Sequence, residues 1–184
     1  MRQFIIGLVL GLLIVPLGLY LYFTMGMAPV ATSASPMPFE KMLAHKALEE
    51  WIEKEMPKTV PIPADEPNYL AGAQVYKDKC AVCHGLPLES ESAIAKGMYP
   101  KPPQLLRGKG VTDDEPGETY WKVANGIRLT GMPGFSQSLS ERQMWQVSLL
   151  LAHADKLPES AKASLIESVN PEPPSSSTAP APTK

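Results

Sequence analysis

Residues 80–84 read Cys80-Ala81-Val82-Cys83-His84, and they contain both cysteines of the 184-residue chain. Two thiols three positions apart cannot form the framework of a disulfide-stabilised fold. A cysteine pair this close in sequence is instead redox-active, metal-binding or covalently modified. The chemistry of this pentapeptide therefore decides which fold the surrounding residues form.

The Cys-x-x-Cys-His pattern is the attachment signature of c-type haem. In that chemistry the two thiols form thioethers with the haem vinyl groups, and the adjacent histidine becomes an axial ligand of the iron. Cys80 and Cys83 are therefore predicted to bind one covalent haem c, and His84 is predicted to bind its iron.

Three other interpretations of the motif remain open. A structural zinc site needs four ligands, and the other two histidines, His45 and His153, lie on predicted helices far away in sequence. A thioredoxin-like dithiol is expected near a β-α-β pattern, which the sequence lacks. The pair could also be a coincidence, which would leave two free thiols in an exported protein. We favour the haem over all three.

Residues 4–23 carry no charge, and a helix of this length spans roughly the 30 Å hydrocarbon core of a bilayer. Arg2 precedes them and Glu40 is the first acidic residue, so the N-terminus is predicted to be cytoplasmic and the rest of the chain external. The alternative is a cleaved signal peptide, whose apolar region usually has only about 7–15 residues. We predict that residues 1–27 are an uncleaved anchor in a bacterial inner membrane, with the remaining domain in the periplasm.

Proline, present 20 times, marks the parts of the chain that lie outside the compact domain. Residues 28–66 are predicted to combine an amphipathic helix over 39–56 with a stiff proline-rich connector. Residues 158–184, rich in Pro and Ser, are predicted to be a disordered tail. The compact domain is therefore assigned to residues 67–157, a size at which an apolar core alone is marginal.

Three helices are predicted within this domain, and no stretch has a convincing strand pattern. The first runs from about Leu70 to Cys80, and the second covers 119–126. The third begins near Ser138, where Ser138-x-x-Glu141 has the form of a capping box, and stops at Pro158. The predicted fold is all-α, with helices and long loops around a central cofactor and an additional N-terminal transmembrane helix.

The other axial position of the iron decides between two kinds of haem protein. An open position suggests catalysis or ligand binding, whereas a second strong protein ligand suggests an electron carrier. Met132 is the favoured ligand because Gly131 and Pro133 place it in a loop of restricted backbone conformation. Met98 and Met144 are interpreted as core residues.

Taken together, these features resemble the monohaem class I cytochromes c, in particular the membrane-anchored bacterial periplasmic type. The resemblance covers residues 67–157. It rests on the haem motif and on four other features, namely Gly72 with Tyr76, the Pro102-Pro103-x-Leu105 loop, Gly131-Met132-Pro133, and a last helix with Trp145. It implies short helices wrapped around one haem, with His84 and Met132 as axial ligands.

The resemblance also implies roles for residues around the haem. Gly72 would let the first helix cross closely against the last helix near Trp145. The carbonyl of Pro103 would accept a hydrogen bond from the His84 ring, and Leu105 would pack on the haem. Three further side chains are candidates for binding the haem propionates: Arg107, Trp121 and Arg128.

The formal charge of −2, from 17 basic and 19 acidic residues, gives no basic surface for nucleic acid, so we exclude nucleic-acid binding. The expected function is electron transfer rather than enzymatic catalysis. The donor would be a quinol-oxidising complex or a dehydrogenase, and the acceptor an oxidase or a reductase. One alternative is a fixed haem subunit of a larger membrane oxidoreductase complex. Another is a haem enzyme or sensor with an open sixth site.

Overall fold

A computed structural model of the protein describes residues 1–107 and 113–167. Every regular element within these two segments is helical, which confirms the predicted all-α class. The described segments contain eight α-helices: α1 (Arg2–Thr24), α2 (Glu40–Glu55), α3 (Glu66–Val75), α4 (Ala81–His84), α5 (Ala93–Gly97), α6 (Pro116–Asn125), α7 (Glu141–Ala152) and α8 (Glu159–Ile166). A π-helical turn, Tyr76–Cys80, joins α3 to α4.

Helix α1 coincides with the predicted apolar segment. It is long and apolar enough to cross a membrane, and none of its residues is buried against the rest of the protein. These properties are common to membrane anchors and signal sequences. Pro16 lies inside the helix.

The amphipathic helix predicted over 39–56 is confirmed as α2, and its C-terminal end docks on the compact domain. Ile52 and Met56 are buried, at 3% and 7% exposure. Just beyond them, the carbonyl oxygen of Pro57 lies where a Cβ on Gly117 would be, so only glycine fits at this point of α6. The helix is therefore part of the folded unit rather than a free element.

The proline-rich connector is fixed to the domain by the buried side chain of Asn68. Its amide nitrogen donates to the carbonyl of Pro63 at 3.0 Å, and its oxygen accepts from the side-chain amide of Gln146 at 3.0 Å. The Asp65 carboxylate caps α3 by accepting the backbone N–H of Asn68 at 3.1 Å. The end of the connector is thus held against α7.

Helices α3 and α7 form the centre of the core. A Cβ on Gly72 would overlap the backbone carbonyl of Gln146, so the two helices can approach this closely only at a glycine. Beside this crossing, the rings of Tyr120 and Trp145 stack with their centroids 4.2 Å apart. The close crossing implied by the family resemblance is therefore present.

The capping box predicted at Ser138 and Glu141 is wrong by two residues. The side chain of Ser140 accepts the N–H of Gln143, and the Gln143 side chain accepts the N–H of Ser140. The N–H of Ser138 is already used in a turn, where it donates to Phe135. Helix α7 consequently begins at Glu141, and it ends at Ala152 rather than at Pro158.

The prediction of a disordered tail from residue 158 is wrong for its first part. Helix α8 packs on α3, with Ala161 and Leu165 buried at 0% and 2% exposure. Pro158 is the N-terminal cap residue of this helix and therefore marks a helix start instead of a stop. Residues 168–184, the remainder of the predicted tail, lie outside the described residues. Residues 108–112 do as well.

Candidate functional site

The two cysteines lie on one short helical turn. The π-helical turn ends at Cys80, and α4 continues from Ala81 through Cys83 to His84, ending at Gly85, which has φ +74°. Both thiols are free and half-buried. Residues three apart lie on the same face of a helix, so the two sulfurs can serve one ligand together.

The Cys80 thiol has an apolar environment. It packs against the core, and this burial, together with the neighbouring Cys83, raises its pKa to about 12. Burial in apolar surroundings disfavours the thiolate, which is the form that reacts in dithiol exchange. A thioether carries no charge and therefore fits these surroundings.

The side chains around the motif disfavour a zinc site. Among residues 1–107 and 113–167, no three His, Cys, Asp or Glu side chains come together as a metal-binding group. Within these residues the motif therefore lacks the further ligands that a four-ligand zinc site requires.

The imidazole of His84 is oriented by the loop that precedes α6. Its Nδ1 lies 2.8 Å from the carbonyl oxygen of Pro103, the contact that the family resemblance implies. With the proton on Nδ1 donated to Pro103, Nε2 is the nitrogen available for a metal. Burial lowers the pKa of His84, and the bond to Pro103 only partly offsets this, so the neutral, ligating form is favoured.

Tyr76 supports the other side of the motif. Its buried hydroxyl donates to the carbonyl of Gly85 at 2.8 Å, directly after His84. Burial raises the pKa of Tyr76 far above its ordinary value, so the hydroxyl remains a donor. The sequence interpretation placed Tyr76 only at the helix crossing. Its position nine residues before Gly85 gives no pattern from which this bond could be predicted.

Gln104 is a site residue that the sequence interpretation missed. Its Oε1 accepts from Arg107 Nε at 3.2 Å and from Arg107 Nη2 at 2.9 Å, and it lies where a Cβ on Gly85 would be. Its Nε2 is buried and has no partner among the described residues. A buried donor beside the motif fits a bound group that supplies an acceptor oxygen.

The loop that carries Met132 is bonded to the end of α6. The N–H of Ile127 donates to the carbonyl of Met132 at 3.1 Å, and the N–H of Met132 donates to the hydroxyl of Thr130 at 3.1 Å. Gly126, with φ +69°, has no room for a Cβ against this loop. The half-buried Met132 is thus held in a single backbone conformation.

The structure describes the remaining predicted residues one by one. Leu105 is half-buried and packs on the same core as Cys80. Arg107 bonds to Gln104, Trp121 is half-buried, and Arg128 is exposed. Met98, interpreted as a core residue, places its terminal methyl group against Gly131, next to Met132.

The donor set agrees with the chemistry of covalent haem. It comprises two thiols on one turn, a neutral imidazole with Nε2 available, a thioether on a fixed loop, and a buried amide without a partner. We therefore conclude that these residues fit haem c.

Comparisons with known proteins place the domain in a family. The sequence profile of the family described as "Cytochrome C oxidase, cbb3-type, subunit III" matches residues 67–149. A protein of Thiomonas intermedia (strain K12) named thiosulfate dehydrogenase is 26% identical over 129 residues, which are 64% of this chain and 40% of that protein. The chain thus spans less than half the length of this relative.

Among solved structures, the reducing HAO-like protein complex of Kuenenia stuttgartiensis is similar, with 24% identity and a TM-score of 0.45 over 57% of this chain and 54% of that chain. The haem motif and the matched profile together show that residues 67–149 form a cytochrome c family domain, and that the protein binds haem and transfers electrons.

Proposed function

We propose that the protein is a single-haem electron carrier attached to the outer face of a bacterial inner membrane. The observation that carries this proposal is the bond between His84 and Pro103, which leaves one imidazole nitrogen for iron beside the two thiols. Cys80 and Cys83 would form the two thioethers. With no further cysteine in the chain, they account for one covalent haem.

His84 and Met132 would be the two axial ligands. When bound, the haem supplies a one-electron couple between ferric and ferrous iron, and Met/His ligation favours a comparatively high potential. Pro103 would keep the imidazole in one tautomer and orientation, and Leu105 would pack on the apolar side of the haem. The buried Nε2 of Gln104 would be available to donate a hydrogen bond to it.

Helix α1 would be the membrane anchor, with the cytochrome domain in the periplasm. A tether of this kind raises the effective concentration of the haem near partners in the same membrane. The donor would be a quinol-oxidising complex or a dehydrogenase, and the acceptor an oxidase or a reductase. Electrons would pass between them without catalysis by this chain.

A second candidate function is a fixed haem subunit of a membrane oxidoreductase. It is supported by the family description, which names an oxidase subunit, and by the name of the Thiomonas relative, a dehydrogenase. Stoichiometric partners that stay bound after mild solubilisation would favour the subunit, whereas isolation of the protein alone would favour the carrier.

The axial ligand is tested by Met132→Ala in the haem-loaded protein. We expect the weak methionine-to-ferric-iron absorption band to disappear and the potential to fall, because a thioether ligand stabilises ferrous iron. Met98→Leu is the matched control, since it removes a neighbouring thioether and keeps the band. An unchanged spectrum in Met132→Ala would refute the assignment and favour an open-site enzyme or sensor.

A further inference from the structure

Two residues other than glycine have a left-handed backbone within the described segments, and both are large, apolar and exposed. Phe39 has φ 63° and is 71% exposed, and Leu129 has φ 60° and is 93% exposed. Bulky side chains rarely occupy this region, because the Cβ crowds the following carbonyl. Strain that serves only to present an apolar side chain to solvent points to a function of that side chain.

The turn around Phe39 borders a cavity of about 310 Å³. Glu40, the next residue, lines this cavity together with Val30 and Leu129, and Val30 is 94% exposed. The N–H of Met37 donates to the Glu40 carboxylate at 2.8 Å, which fixes the turn. Two strongly exposed apolar residues, Val30 and Leu129, therefore line the cavity, and Phe39 directly precedes the lining residue Glu40. We call these three residues, Val30, Phe39 and Leu129, the cavity face.

The turn around Leu129 is fixed equally well. The N–H and the hydroxyl of Thr130 both donate to the carbonyl of Ile127, at 3.3 and 2.7 Å. The same hydroxyl accepts the N–H of Met132 at 3.1 Å. Leu129 is therefore presented by a rigid loop that also carries the candidate axial ligand.

The position of the cavity face along the chain limits what can cover it. Helix α1 ends at Thr24, and Val30 follows six residues later, so the chain between them spans at most about 20 Å. If α1 crosses a bilayer, Val30 must stay within this distance of the bilayer surface, and the cavity that it lines with Leu129 stays close to that surface as well. We propose that Val30, Phe39 and Leu129 contact the lipid interface and hold the cytochrome domain with its Met132 loop toward the membrane.

The first turn of α2 follows directly after Phe39 in the chain. Met42 and Leu43 are 59% and 61% exposed, and Lys41 and Lys46 flank them. Exposed apolar side chains beside a lysine can contact lipid headgroups, and Lys41 is the lysine that serves here because Lys46 pairs with Glu50 at 2.7 Å. Because the other end of α2 is docked on α6, this contact would orient the whole domain.

The proposal rests on the proposed membrane anchoring and is tested with the full, haem-loaded chain in bilayers of phosphatidylcholine and phosphatidylglycerol. Since both native cysteines are consumed by the haem, Leu129→Cys carries a single reactive thiol for a nitroxide label. Glu159→Cys is the control, because this side chain on α8 is 89% exposed and far from the cavity in sequence. Collisions of each label with lipid-soluble oxygen and with a water-soluble nickel chelate are compared.

We expect a several-fold higher ratio of oxygen to nickel collisions at position 129 than at position 159. Equal ratios in a sample whose intact mass retains residues 2–24 would overturn the proposal. The proposal would also be overturned if the label at position 129 were shielded from the nickel chelate in native membranes but not in the lipid bilayers. The partner that covers this surface would then be a protein. The haem spectrum of the same sample reports separately on the proposed function, so the two failures are distinguishable.

Discussion

His84 Nδ1 lies 2.8 Å from the carbonyl oxygen of Pro103, across nineteen positions of sequence. This bond has two effects on the same ring. It leaves Nε2 as the nitrogen available to the proposed haem iron, and it would increase the basicity of the imidazole as a ligand. The orientation of the His84 ring is therefore a property of the loop before α6 as well as of the haem motif.

Replacing Pro103 with Gly tests this dependence. The acceptor carbonyl remains, but the backbone that positions it is no longer restrained, so the bond weakens on average. We expect the reduction potential to rise, because a less basic imidazole stabilises ferric iron less. Unfolding should become easier by about 0.5–1 kcal/mol, since the unfolded chain gains freedom.

Redox titration and denaturant unfolding measure these two effects. Pro102→Gly is the matched control, because it loosens the same loop one residue away from the acceptor. It should show the loss of stability without the rise in potential. Equal potentials in all three proteins would contradict a role for the Pro103 bond.

Tyr76→Phe removes the hydroxyl that donates to Gly85. The Gly85 carbonyl is then buried without a partner, which should cost about 1–3 kcal/mol of unfolding free energy at neutral pH. Denaturant unfolding of the two haem-loaded proteins checks this value. A loss below about 0.5 kcal/mol would mean that water replaces the hydroxyl.

The same variant predicts a change in pH dependence. Burial raises the pKa of Tyr76 above its ordinary value of 10.0, so the hydroxyl keeps its proton in the folded state after the unfolded chain has lost it. Above about pH 10 the folded state therefore binds one more proton, and stability falls as pH rises.

For one proton, the fall in unfolding free energy amounts to about 1.4 kcal/mol per pH unit. In Tyr76→Phe the slope of unfolding free energy between pH 10.5 and 11.5, a window set by the tyrosine pKa values, should be shallower by up to this amount. Below pH 9 the two slopes should be the same, which provides an internal control. Parallel slopes throughout would contradict the burial of Tyr76.

Gly72→Ala should disrupt the crossing of α3 and α7. The added methyl group would overlap the backbone carbonyl of Gln146, which cannot move without shifting α7. We expect a loss of about 1–3 kcal/mol, the usual cost of overpacking. Gly97→Ala in α5 is the control, because a Cβ there meets no atom within 4 Å. Thermal unfolding of both variants measures this difference. Equal unfolding midpoints for Gly72→Ala and Gly97→Ala would contradict the close approach of α3 and α7.

The fold class and the haem motif could be predicted because each has a local sequence pattern. Helix α2 could be predicted from its apolar spacing. The position of Met132 between Gly131 and Pro133 predicts an axial ligand, and that assignment stays a prediction. Gln104 could not be found, because its importance arises from contacts with Gly85 and Arg107 that only the folded chain creates.

The errors at α7 and α8 have a similar origin. Ser138 and Ser140 both precede a suitable capping partner, and the bond from Ser138 to Phe135 decides between them. Pro158 can end one helix or begin another, and the choice depends on whether Leu165 finds a core to pack against. Local patterns are ambiguous where a tertiary contact makes the selection.

Leu129→Gly should stabilise the protein. Leu129 is 93% exposed and has φ 60°, so the substitution loses little packing and relieves a conformation that costs an L-residue roughly 1–2 kcal/mol. Greater freedom of the unfolded chain subtracts about 0.5–1 kcal/mol, which leaves an expected gain of up to about 1.5 kcal/mol. Leu88→Gly is the matched control: Leu88 is 76% exposed without a left-handed backbone, so only the entropic loss applies. Thermal unfolding of the two variants in detergent, where the bilayer is absent, should therefore shift in opposite directions. A shift to lower stability in both would show that the Leu129 side chain contributes packing to the folded protein.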